Sequence, residues 1–518
     1  MKYCDPTVSR RNLTSSVLGG LCAAWLGTAC SAQSSDAIEE LQQGLRSGEP
    51  RRSPQSQQGQ QLRHSHRGHR RGHGPAGGSN SGGSPTPPVP CNVEQLINPD
   101  GLYQTINADL AGLDADDQPF TRYLSLADLA NACAGSLDGD RAALAKLINS
   151  LSLDASLTQP LAVDAAETLY RIDLRDYGWD REIVLNGARF VDGWEALIAS
   201  TPYAVPFIGE DADDAVADTG TRVPVLFGSA FVAAAASAPL YYALLDIPAD
   251  LDDELLNGLG IDVAAARAAG ETVRAGFVAD GQDGETQFLA ERFEIEFRAG
   301  VAWQFSEFGG DLFDDPLGNP SGERELVFTL PNGLQGHIVA DANGRVKNAS
   351  DVVIDITESD RRARVATSFF RLRAQGVAVE DEVRPFVLAN PRNFRRAERN
   401  AILAAYPAAD ELQRLLDADR NNFLAASLSR LGQDIDDAPE PVSQTFADFS
   451  ADVDLATAAG EIMVIPEDLR QNLLLLDPVL SVLDGGTISR ADFTQLYFSS
   501  MCTFSIVLNN VVDSDTCL

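Results

Sequence analysis

Outside the carboxylates, side chains that could carry chemistry are sparse. Seven cysteines and five histidines stand among 518 residues. No two cysteines form Cys-x-x-Cys, which argues against a zinc or redox centre. Four cysteines belong to the body: Cys91, Cys133, Cys502 and Cys517. Four allow three pairings. Cys91–Cys133 and Cys502–Cys517 is the expected one, because it keeps each bridge at one end. His64, His66, His69 and His73 alternate with arginine. Imidazoles so spaced bind Zn²⁺ or Cu²⁺ weakly and the arginines repel a cation, so a solvated basic spacer is expected. His337 is the body's single histidine, and any Ser-His-Asp triad would have to use it. A structural or exposed role is expected for it instead. The chain has no Gly-rich phosphate loop, no His-Glu-x-x-His and no Gly-x-Ser-x-Gly. Paired carboxylates could cleave a glycosidic bond, yet with 75 acidic residues the sequence cannot select a pair. Asp484 to Phe493 looks like the exit half of an EF-hand, but Gly485 stands where an acid belongs. A loop and helix cap is expected there, and no metal or cofactor site is called.

Charge narrows the partners. The chain carries −35 formally. Residues 1–32 hold three basic side chains against one acid, and 33–90 hold seven arginines against four acids, so 91–518 carries about −40. Such a body repels phosphate backbones and anionic membrane surfaces, which excludes nucleic acid as a partner. Lysine occurs only at Lys2, Lys146 and Lys347. We read that scarcity as genome composition rather than salt adaptation.

The N-terminus reads as an export signal. Ser9-Arg10-Arg11-Asn12-Leu13 resembles the twin-arginine motif, followed by an apolar stretch to Ala29. That stretch is shorter than the ~20 residues a permanent span needs. Leu26-Gly27-Thr28-Ala29-Cys30 resembles a bacterial lipobox, with Gly27 at the usual Leu position. Cys30 is the expected lipidation site, so membrane contact would come through a lipid alone. From about 31 to 90 the chain is Ser, Gln, Gly, Pro, Arg and His, too polar to offset its ordering entropy. A coil of ~60 residues spans ~40–45 Å.

The body must position whatever site exists. The period of Leu144, Leu147, Ile148 and Leu151 predicts a helix capped by Asp138 or Asp140. Thr168–Leu174 reads as a strand and Trp194–Ile198 as a helix. The acidic run Glu210–Asp218 reads as a loop. Leu226–Leu245 reads as two buried helices broken at Pro239. Phe288–Phe297 and Val301–Phe308 alternate as strands, with Trp303 and Phe305 on one face. Leu326–Leu330, Pro331-Asn332-Gly333 and His337–Ala340 form a hairpin pattern. Helical spacing dominates from Val377: 377–386, 394–403, 409–416, 422–431, 455–463, 469–476 and 491–497.

Several stretches, in order, carry a family resemblance. They include Tyr170-Arg171-Ile172-Asp173-Leu174-Arg175-Asp176-Tyr177-Gly178-Trp179, Ser237-Ala238-Pro239-Leu240-Tyr241 and Arg274-Ala275-Gly276-Phe277. Gly300-Val301-Ala302-Trp303 and Leu330-Pro331-Asn332-Gly333-Leu334-Gln335-Gly336 continue the series. Together they resemble a cytochrome c-like family of exported bacterial proteins with a central Cys-x-x-Cys-His haem motif. The likeness covers about residues 120–500. Aligned on Ala374-Gln375-Gly376, the two family cysteines fall at Phe369 and Leu372, and the histidine at Arg373. A further family histidine falls at Phe293. Haem c needs two thiols and an axial imidazole, and these residues supply none. The resemblance therefore implies a member that has lost its haem, its site refilled by apolar side chains.

The sequence thus predicts an α+β protein, with short strands and a hairpin first and a mainly helical C-terminal part. The expected divisions are a signal (1–30), a disordered linker (31–90), a mixed α/β domain (91–360) and a helical cytochrome c-like remnant (361–518). The expected function is that of a non-enzymatic envelope lipoprotein that binds an unidentified envelope protein and carries no cofactor. The alternatives are electron transfer through haem on unusual ligands, and a carboxylate-based hydrolase of envelope polysaccharide.

Overall fold

The computed structural model describes residues 96–508, apart from 208, 252–255, 257–261, 282–283, 296–299 and 434–438. Contacts divide the chain into Met1–Thr86 and Pro87–Leu518, and every described residue belongs to the second unit. The export signal, Cys30, the linker with its four histidines, Cys91 and Cys517 lie outside the described residues.

The expected α+β class is what the body adopts. Two sheets organise it. β1 (Thr121–Ser125) is buried at all five positions, as a central strand requires. It pairs antiparallel with β3 (Leu169–Asp173) and parallel with β6 (Val225–Phe227), while β2 (Leu161–Ala162) extends the edge beyond β3. β4 (Ile183–Leu185) and β5 (Ala188–Phe190) form a separate hairpin.

The larger sheet is a six-stranded antiparallel meander. Its strands are β7 (Val273–Gly281), β8 (Gly284–Ile295), β9 (Gly300–Glu307), β10 (Arg324–Thr329), β11 (Gln335–Ala340) and β12 (Val346–Lys347). The expected hairpin is β10–β11, and Gly333 takes the positive φ of its turn. Register sorts side chains to two faces, because alternate residues point oppositely. Arg292, Trp303, Val327 and His337 stand in one cross-strand row, with Ala290, Phe305, Glu325 and Val339 in the next row on that face. Phe293, Ala302, Phe328 and Gly336 stand on the other. β13 (Ala349–Ile354) and β14 (Arg362–Arg364) form a short ladder beyond the sheet.

Helices cover these sheets. Asp138–Ser150 packs against Gly228–Ala235 and Pro441–Ser450. Its cap position is Leu137, and Asp138 and Asp140 lie in its first turn rather than capping it. There they still face the positive end of the helix dipole. Glu210–Thr219 is a helix, not the expected loop. Glu210, Asp211 and Asp213 occupy its first turn, where negative charge is favoured. Ala212, Ala215 and Thr219 give it a buried stripe of small residues that an acid count hides. The helix expected from Val377 begins instead at Val383 and runs to Ala389. Asp381 sets that start, accepting from the backbone N–H of Val383 and Arg384.

The largest core draws on both sides of position 361: Tyr123, Trp179, Trp194 and Ile338 share it with Phe369, Leu469 and Tyr497. Two smaller cores pack Trp303 and Phe305 with Val377, Leu412 and Leu416, and Leu289 with Val383 and Tyr406. Cys133 and Cys502 are each disulfide-bonded; their expected partners, Cys91 and Cys517, lie outside the described residues.

Candidate functional site

The segment carrying Phe369, Leu372 and Arg373 lies across the Trp303–His337 face of the six-stranded sheet. Its entry is a tight turn centred on Ala366, at φ 61 and ψ −77, closed by Thr367 N–H donating to Val365 C=O at 2.9 Å. That geometry is a γ-turn with positive φ, a conformation costly for an L residue. The helix Thr367–Leu372 follows. Ser368 Oγ accepts from Arg364 N–H at 2.9 Å, and Ser443 Oγ donates to Thr367 C=O at 2.5 Å. Strand end and helix start are thereby tied together.

Phe369 and Phe370 point inward, at 0 % and 3 % exposure. The Phe369 ring stacks on His337 at 5.9 Å and 17°, and Phe370 meets the same imidazole edge-on at 5.6 Å. His337 is fully buried, not exposed. Its backbone N–H donates to Tyr241 Oη at 3.1 Å, while its Nδ1 has no hydrogen-bond partner. Burial, with the positive fields of Arg373 and Lys146, pushes the His337 pKa down to about 3. The imidazole is neutral at physiological pH, and two rings pack against it. Among the described residues no Ser or Asp side chain hydrogen-bonds the imidazole, so a triad role does not fit it.

Arg373 extends from the helix end to Glu325 on β10. Its Nε and Nη2 bond the carboxylate at 3.1 and 2.8 Å, and its guanidinium lies 4.4 Å from the Phe305 ring centroid. Glu325 is buried, so this bidentate pair neutralises an otherwise costly charge. Leu372 departs from expectation: at 37 % exposure it fills no void. Phe293 is buried on the opposite face of the sheet. The structure therefore brings Phe369 and Arg373 together over one face and does not bring Phe293 to them.

Sequence reading missed the groups that frame this segment. Lys146 Nζ bonds Glu440 Oε1 at 2.8 Å, both side chains being buried, and lies 5.4 Å from the Phe370 ring. Glu440 also accepts from Val442 and Ser443 N–H at the start of Pro441–Ser450. Asp419, on the helix Ala409–Ala426, accepts from Arg292 twice at 2.9 Å and from Trp303 Nε1 at 3.0 Å. One signal was available: Lys146 and Lys347 are the only lysines of the body.

Three cavities bear on catalysis. One of about 370 Å³ adjoins the helix Thr367–Leu372, between Asp355, Ser368, Arg371, Glu440 and Ser443. Another of about 200 Å³ lies between Trp303, Gln335, Val377 and Asp419. The largest, about 820 Å³, lies between Phe120, Arg122, Asp192, Glu195, Thr221 and Phe498. A glycosidase needs one carboxyl held protonated. Burial raises the pKa of Asp128, Asp140, Asp176, Asp381 and Glu461, with Asp128 at about 7. None of these five lines any of the three cavities. Beside this same helix, burial pushes Asp355 up, but bonds from Ser368, Thr357 and Arg371 outweigh it and hold the carboxyl at about 2. Among the described residues no group of three or more His, Cys, Asp or Glu could hold a metal ion.

No protein-family model, curated protein or solved structure matches the chain. Among the described residues no helix is long and apolar enough to cross a membrane.

Proposed function

We propose that this protein is a non-enzymatic cell-envelope lipoprotein, a haem-less relative of a cytochrome c-like family, that acts by binding a protein partner. A lipid on Cys30 holds it to the membrane, and the polar linker to residue 90 sets the body clear of it. One observation carries the reading. At positions where the family places two thiols and an imidazole, Phe369 is packed on His337, Leu372 is half-exposed, and Arg373 is locked on Glu325 and Phe305. Those side chains perform packing and charge neutralisation and offer no ligand to iron. None of the three cavities holds a carboxyl whose pKa burial raises, which weighs against the alternative of a carboxylate-based hydrolase.

A visible spectrum in alkaline pyridine, taken on protein purified from its native envelope, tests the reading. The expected spectrum has no haemochrome band. A band in stoichiometric amount would overturn the haem-less assignment in favour of electron transfer.

A further inference from the structure

Resting on the partner-binding reading, we infer that the segment Leu474–Val482 is a docking surface for an apolar, basic-flanked segment of another protein. The helix Pro466–Leu476 buries Leu469 and Leu473. Its last turn then exposes two leucines, Leu474 at 77 % and Leu475 at 61 %. The 3₁₀ helix Pro478–Leu483 packs against it and buries Leu480 and Leu483. At three residues per turn, Val479 and Val482 share its outer edge, and they are 49 % and 52 % exposed. Of the twelve exposed large hydrophobic residues among those described, four fall within these nine positions. Single exposed apolar residues are ordinary, whereas a cluster on two packed elements marks an interaction surface.

Charge selects the occupant. In the chain the patch is flanked by Glu467, Asp468, Asp477 and Asp484, and the single basic residue between Glu467 and Asp484 is Arg470, paired with Glu467 at 2.7 Å and Asp484 at 3.4 Å. A second copy of this chain would set acidic flank against acidic flank, with a strongly negative body behind each. A segment with apolar side chains flanked by Lys or Arg buries the leucines and valines and neutralises those acids.

Fluorescence anisotropy with the full folded chain tests this, using three labelled peptides: one helical of Leu and Lys, one of Leu and Glu, and one of Ser and Lys. The Leu–Lys peptide is expected to bind. Affinity should fall about tenfold or more in Leu474→Ser/Leu475→Ser and again in Val479→Ser/Val482→Ser, neither of which changes charge. The other two peptides should bind far more weakly. The inference is overturned if Ser–Lys binds equally, if both double variants retain wild-type affinity, or if no peptide binds. It is equally overturned if the leucine variant abolishes a dimer seen in sedimentation, which would make the occupant a second copy. Binding to phosphatidylcholine vesicles that the leucine variant loses would make it a membrane and overturn the inference too. These outcomes are independent of the pyridine spectrum, so the docking surface and the haem-less assignment fail separately.

Discussion

Phe369, Arg373 and His337 form one packing unit, and each has a measurable weight. Phe369→Ala removes a fully buried ring and should cost ~3–5 kcal/mol in denaturant unfolding. Arg373→Ala leaves Glu325 buried without its cation, for a loss of ~3 kcal/mol. A loss under about 1 kcal/mol for either would mean that the segment is not packed as described. pH separates two buried groups by sign. His337 is near 3 when folded against 6.5 unfolded, so the unfolded chain binds more protons between them. Its contribution is complete above pH 6.5 and is lost as pH falls towards 3. Asp128, at about 7 against 3.8, behaves oppositely: its contribution is present below pH 3.8 and is lost as pH rises to 7. Asp128→Asn keeps a polar partner for Ser229, which donates to Asp128 Oδ2 at 2.5 Å. It should therefore raise stability at pH 8 and change little at pH 4. His337→Leu should flatten the acid limb instead. Equal pH profiles for these variants and wild type would contradict the burial assigned to both groups.

At the scale of elements, the large sheet works as a platform on which the C-terminal part is fixed. Gly276 on β7 is one fixing point. Its N–H donates to Asp381 Oδ1 at 2.9 Å, and its C=O accepts from Glu382 N–H at 2.7 Å. A Cβ there would stand 2.5 Å from Val383 and 2.6 Å from Leu312. Gly276→Ala should therefore cost ~1–3 kcal/mol, read as a lowered denaturation midpoint. No change would mean that Val383 does not close on the strand. Much at this scale was legible in the sequence. Alternation placed β8 and β9 and put Trp303 with Phe305, and Asn332-Gly333 marked the β10–β11 turn. Acidity misled at Glu210–Thr219, because a helix tolerates acids in its first turn when Ala212 and Ala215 supply the buried stripe. Local period also misled at Val377, where Asp381, one residue before the cap position Glu382, holds the first turn of the helix by accepting from Val383 and Arg384 N–H. The partners of the Thr367–Arg373 segment were illegible for a different reason. Arg373 meets Glu325, and Lys146 meets Glu440, across long sequence separations, and no local pattern encodes such pairings.

At the scale of the whole molecule, one core runs through both halves of the body. Lys146 on Asp138–Ser150 pairs with Glu440 at the start of Pro441–Ser450, and the face bearing Trp303, Glu325 and His337 is covered by residues after 361. A fragment of residues 91–360 would expose that face, with Glu325 stripped of Arg373. It should fail to give a dispersed, folded NMR spectrum, whereas a well-dispersed spectrum would establish 361 as a true domain boundary. The central proposal is that this body takes no haem, and the most direct measurement is a haem titration of the purified, folded chain followed by absorbance. The account predicts no saturable binding, with the spectrum remaining that of free haem throughout. Stoichiometric, saturable binding that disappears in His337→Leu would contradict it.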